Sequence, residues 1–184
     1  MSDIGALNSQ LPVFRYHPDP IASGVIQAST AQCACCGMQR GFIYVGPVYG
    51  EADLHDSLCP WCIADGSAAS KLGASFADDY PLRRANVPGH IIEEINLRTP
   101  AFFSWQQEEW LAHCGDACAF LGDASVADVA NATEATKLDW HARYELNEED
   151  WQHITTGYTP RGAQSFYKFQ CLHCSAILLG WDCS

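Results

Sequence analysis

Ten cysteines stand in this chain of 184 residues, most of them at metal-ligand spacing. Cys33-Ala-Cys-Cys36-Gly and Cys59-Pro-Trp-Cys62 are two CxxC steps with 22 residues between them. Tetrahedral Zn²⁺ takes four soft or borderline ligands, with sulfur at about 2.3 Å, and two knuckles brought together supply all four. Gly37 suits such a knuckle, because the turn that wraps a metal favours φ > 0 and directs backbone amides at sulfur. Cys35 competes for a place in the set, but Cys33 and Cys36 have the better spacing. The Cys59/Cys62 pair could instead be a thiol–disulfide couple, since a thiolate at a helix start has a lowered pKa. That reading leaves the pair at 33/36 unexplained, and CPWC follows the polar stretch GEADLHDS rather than a buried apolar strand.

A second set combines Cys171-Leu-His-Cys174 with Cys114 and Cys118 of HCGDAC. Residues four apart share one helical turn, so two thiolates at 114 and 118 could face one metal at a helix end. His113 and His173 are alternative ligands. Two Zn²⁺ are therefore expected. A site closed by four cysteines has no open position for substrate, which argues for a structural metal rather than a catalytic one. The zinc-deaminase signature is missing, as are GxSxG, Walker, GxGxxG and HExxH motifs. Cys183 is expected to be a bystander. Glu93-Glu94 reads as a solvated helix face, and His17 and His141 as satisfied or surface histidines. Trp105, Trp110, Trp140 and Trp151 most simply build the core.

The elements that position these groups follow from local patterns. Residues 1–30, proline- and turn-rich, are expected to form an extended lead-in without regular structure. GFIYVGPVY (41–49) has strand composition, and IADGSAASKLG (63–73) reads as a short helix weakened by Gly66. Residues 77–90 read as loop, and HIIEEINL as a helix stopped by Pro100. Ser104-x-x-Gln107 has capping-box spacing and predicts a helix running through WLAHC. Helical patterns fill 125–153, and Asn147 followed by acids suits a cap. SFYKFQ and SAILLGWDCS are strand-like runs joined through CLHC.

The formal charge is −12, and the basic residues are scattered, with Arg83-Arg84 the only adjacent pair. An acidic field of this kind repels nucleic acid and anionic membrane and attracts basic proteins. No apolar run approaches the roughly 18 to 20 residues of a membrane span. MSDIGALNSQ has neither a basic nor an apolar signal region, so the expected compartment is the reducing cytosol, where cysteines favour metal over disulfides.

LPVFRYHPDPIASGVI, CACCGMQRGFIYVGPVY, LCPWCIADGSAASKLGASF, VPGHIIEEINLRTPAFFSWQQEEWLAHCGDACAF and FQCLHC closely resemble the bacterial CbrC-like family. The resemblance spans nearly the whole chain. It implies an association with colicin tolerance and brings no catalytic residues to carry over.

The fold class expected is α+β. It comprises a treble-clef or zinc-ribbon-like unit (1–76, with its lead-in) and a helical region (77–184) closed by a C-terminal zinc-ribbon hairpin, with one compact domain as the alternative organisation. The function expected is non-catalytic: a cytoplasmic zinc protein that binds a basic protein partner, with no nucleic acid or membrane. The alternatives are a thiol–disulfide oxidoreductase using Cys59 and Cys62, and a zinc-ribbon nucleic-acid binder.

Overall fold

The computed structural model describes residues 11–184, so the first ten residues of the expected lead-in lie outside the described span. Helices and small antiparallel sheets alternate around three apolar clusters.

The first cluster gathers around the cysteine-rich segment. Strand β1 (Ile26–Ala28) pairs antiparallel with β2 (Phe42–Tyr44), Ile26 opposite Tyr44. The lead-in thus contributes a strand that its prolines had not suggested, and the strand expected over 41–49 shrinks to three residues. Burial explains both results. Ile26, Ile43 and Tyr44 are buried, whereas Gly46 and Pro47 interrupt the ladder directly afterwards. The helix expected over 63–73 is two helices, α1 (Pro60–Ala64) and α2 (Ser67–Leu72), broken at Gly66 with φ of 77°. Pro60 opens α1 at a position where its missing N–H costs nothing. Val25, Leu58, Ile63 and Phe76 complete this core.

Helix α3 (Tyr80–Arg84) lies within the stretch read as loop, and α4 (Gly89–Arg98) buries Ile91, Ile92 and Ile95. Thr99 turns extended ahead of Pro100, as the proline ring requires of its predecessor. Two contacts tie this region to the first unit. The Phe76 amide donates to the Asn96 carbonyl (2.8 Å), and the Ala101 amide donates to the Tyr44 hydroxyl (3.2 Å).

No helix starts at Ser104. The amides of Trp105 and Gln106, which would lie in the first turn of that helix, both donate to Asp182 Oδ2, at 2.8 and 3.2 Å. Residues 101–111 are therefore irregular and lead into the short hairpin β3 (Ala112–His113) and β4 (Asp116–Ala117). Trp105 is half exposed, its indole N–H held by the Gly162 carbonyl, so it is not a core residue; Trp110, Trp140 and Trp151 are buried.

Strands β5 (Ala119–Asp123), β6 (Gln164–Gln170) and β7 (Ile177–Cys183) form one antiparallel sheet, with a register shift between Phe120 and Gly122. Alternation along β6 and β7 feeds two cores. Tyr167, Phe169 and Leu178 join Phe102, Trp110 and Phe120 on one face, and Phe166 and Leu179 join Trp140 and Trp151 on the other. Helices α5 (Val126–Ala130), α6 (Glu134–Tyr144) and α7 (Glu148–Thr155) cover that second face. Asn147 caps α7 as its sequence suggested, in a reciprocal box with Asp150.

Candidate metal centres

Two groups of four ligand atoms lie within 4.8 Å of one another: Cys33, Cys36, Cys59 and Cys62 in one, His113, Cys114, Cys171 and Cys174 in the other. A tetrahedron with metal–sulfur bonds of 2.3 Å has sulfur–sulfur edges of about 3.8 Å, against about 2.05 Å for a disulfide. The Cys33–Cys62 and Cys36–Cys59 separations are both 3.9 Å, and Cys114–Cys174 is 3.8 Å. His113 Nδ1 stands 3.2 Å from the Cys114 sulfur and 3.4 Å from that of Cys174, close to the shorter edge an imidazole ligand gives. Both clusters therefore have the size of a four-coordinate ion.

The first cluster is built from the loop after β1 and the start of α1. Cys59 is the N-cap of α1 and Cys62 sits in its first turn, which sets their sulfurs side by side. Gly37, with φ of 69°, lets its amide turn back to the Cys33 carbonyl at 2.8 Å and close the knuckle. The Cys59 amide donates to the Cys33 sulfur at 3.2 Å. Burial pushes the Cys33 thiol up, but N–H donors from Cys59, Cys36 and Cys35 outweigh it and bring the group down to about 7. Burial dominates at its neighbours: the Cys59 thiol is pushed up to about 11, and that of Cys62 is raised further. Cys33, Cys59 and Cys62 are all buried. Cys35 stays outside the set, its sulfur 3.5 Å from the Ser67 hydroxyl.

The second cluster departs from the expected ligands. Cys114 and Gly115 form the two-residue turn of the β3–β4 hairpin, with φ of 53° and 72°. Positive φ at both central positions is what a type I′ turn requires. With a hairpin where a helix was expected, Cys118 is not one turn from Cys114. Its amide instead bonds the Leu111 carbonyl, and its side chain is buried in the core, where burial pushes the thiol up to about 12. His113, held as an alternative ligand from the sequence, takes the fourth place.

Across from the hairpin, the CLHC knuckle closes the β6–β7 connection. Ser175, at φ of 61°, returns its amide to the Cys171 carbonyl (3.1 Å), and the Cys171 amide reaches the Ala176 carbonyl (2.9 Å). The Cys171 thiol is lifted by burial and lowered more strongly by N–H donors from Cys174 and His173, ending at about 6. His173 points elsewhere. Its Nε2 meets Asp116 Oδ2 at 2.9 Å, and Asp116 also accepts from Arg15 (2.9 Å) and the Tyr16 hydroxyl (2.8 Å). Burial raises the Asp116 carboxyl, yet these partners hold it below its ordinary value. Asp116 had no signal in the sequence beyond lying within HCGDAC, because its partners come from positions 15–16 and 173. Cys183 lies apart from both clusters, beside Gln106.

The model of an uncharacterised protein family, UPF0167, matches residues 11–183. The chain belongs to that family. Among UPF0167 relatives, the protein PA1536 of Pseudomonas aeruginosa is 48% identical over 169 residues, covering 91% of this chain and 94% of the relative. UPF0167 proteins Mb2317 of Mycobacterium bovis and MT2352 of Mycobacterium tuberculosis are each 42% identical over 172 residues, covering 92% of this chain and 91% of the relative. No solved structure matches the chain. Among the described residues, no helix is long and apolar enough to cross a membrane.

Proposed function

We propose that this UPF0167 protein is a non-catalytic cytoplasmic binding module whose surface is held in shape by two Zn²⁺ and whose partner is a basic protein. The observation that carries the reading is the grouping of four candidate donors in each cluster, with sulfur separations of 3.8 and 3.9 Å that match tetrahedral edges; four protein donors on one ion would leave no position for substrate. Thiolate-rich sets with one imidazole favour zinc over harder ions. In this reading the first cluster is the staple of a treble-clef-like unit, and the second joins a ribbon hairpin to β3–β4.

The acidic surplus points to the partner's chemistry. A cleft of about 510 Å³ beside β7 is lined by Glu109, Tyr144, Trp181 and Asp182, and its charged lining groups are all acidic. Carboxylates and aromatic faces together suit a lysine or arginine side chain. The resemblance to the colicin-tolerance-associated CbrC-like family makes a nuclease-type bacterial toxin a reasonable first candidate. Equilibrium binding to such basic domains tests this: a complex that weakens with salt and with Glu109→Gln is expected. No salt-sensitive complex with any basic partner would sink it.

Burial argues against the oxidoreductase alternative. A nucleophilic cysteine needs access and a lowered pKa, whereas Cys59 is buried and its thiol is pushed up to about 11. The negative charge weighs equally against nucleic acid.

A further inference from the structure

We propose that the two metal centres differ in kind: the His113/Cys114/Cys171/Cys174 site exchanges its ion with solvent while the fold stays intact, and the four-cysteine site does not. The inference rests on the metal-binding reading and adds to it a role in taking up and releasing a borderline-soft divalent cation, Zn²⁺ foremost.

Access is the first observation. In the four-cysteine site, Cys33, Cys59 and Cys62 are 1%, 0% and 3% exposed, embedded among Val25, Leu58 and Ile63. Cys36 alone of the four is half-buried, so a chelator meets one donor while the other three stay covered until the unit opens. At the second site Cys114 and Cys174 are both exposed, and only Cys171 is buried. Competing ligands can therefore replace the protein donors one at a time, without prior unfolding.

Support around the site is the second observation. The unit around the first site is made of three-residue strands and helices of five and six residues, too short to persist alone. Its metal bonds contribute a large share of its folding free energy. The second site is framed on one side by two seven-residue strands and on the other by a hairpin of two-residue strands fastened to them. Seven registered residue pairs join β6 to β7, and Phe169 and Leu178 anchor them in the core. The hairpin closes through Ala112–Ala117 and the Cys118 amide bond to Leu111. Asp116 then links the two halves directly, since it lies on β4 and holds His173 of the knuckle. When the ion leaves, this carboxylate–imidazole contact keeps hairpin and knuckle in register, so the ligand set is ready for rebinding.

The test uses the full-length protein loaded with Zn²⁺, treated with excess EDTA near neutral pH. Metal is counted by native mass spectrometry, and the fold is followed by near-ultraviolet circular dichroism. One equivalent should leave with the spectrum unchanged and return on adding ZnCl₂, while the other should leave only under denaturing conditions. Cys174→Ser and His113→Ala should fold and carry only the retained equivalent. Retention of both ions until unfolding overturns the proposal, as does collapse of the spectrum when the first ion leaves, or failure of both variants to fold. In those cases the metal reading itself survives. Protein that binds no zinc at all overturns that reading, and this proposal with it.

Discussion

Asp116 holds His173 through a 2.9 Å contact between Oδ2 and Nε2, and so keeps out of the second cluster the one histidine that lies inside a CxxC step. The imidazole that completes the second cluster is supplied instead by His113, on the neighbouring hairpin. The same carboxylate fastens Arg15 and Tyr16, so the knuckle, the hairpin and the start of the described chain converge on one buried acid.

Replacing that acid should be costly. Asp116→Ala leaves the buried Tyr16 hydroxyl without its acceptor and the Arg15 guanidinium and His173 ring without their partner. A loss of about 3 kcal/mol in unfolding free energy is expected. Urea denaturation of the variant against the parent measures it, and an unchanged midpoint would contradict the role given to Asp116.

Ligand assignment at the second cluster divides His113 from Cys118. Cys118→Ala should retain full metal content and lose about 1 kcal/mol of stability for the small void left in the core. His113→Ala should lose one equivalent. The opposite result, counted by inductively coupled plasma mass spectrometry, would restore the four-cysteine set expected from the sequence.

At the first cluster, Cys36→Ser or Cys59→Ser removes a ligand from a unit whose own elements are short. Amide exchange of Val25, Tyr44 and Ile63 should then rise to unprotected rates while Phe166 and Leu179 stay protected, because the latter belong to a different core. Uniform protection across both regions would mean that the ion is dispensable.

His17 predicts a pH dependence of stability. It is buried, with its ring nitrogens 2.8 Å from the Pro100 carbonyl and 2.8 Å from the Ser23 hydroxyl. Burial lowers its pKa from 6.5 to about 4 despite the carbonyl contact. The unfolded chain therefore binds more protons between those values, and stability falls as pH drops through that window, by up to about 1.4 kcal/mol per pH unit. Thermal melts from pH 7 to pH 4.5 should show a slope that His17→Gln reduces. Equal slopes in the two proteins would show that other groups carry the effect.

What the sequence disclosed follows a physical division. Each knuckle is a local object, so the spacing of Cys33/Cys36, Cys59/Cys62 and Cys171/Cys174 marks three cysteine pairs that the fold gathers into two clusters. The cap at Asn147 and the strands on either side of CLHC are local in the same sense. The segment from Ser104 to Cys118 is not. There a local helix signal loses to Asp182, more than seventy residues away, which takes the first two amides of the expected helix. Once that helix is gone, the i,i+4 argument that joined Cys114 to Cys118 has no basis, and His113 and Cys118 exchange roles. Asp116 was illegible for a related reason: a carboxylate becomes a hub only when chain folding delivers its partners.

The order of the ligands along the chain also sets a schedule. All four sulfurs of the first cluster exist once residue 62 has been synthesised, before any ligand candidate of the second has been made. The second draws on positions 113 through 174 and cannot close before residue 174 has been made. An ion seated there thus marks a chain whose central and C-terminal parts have already met.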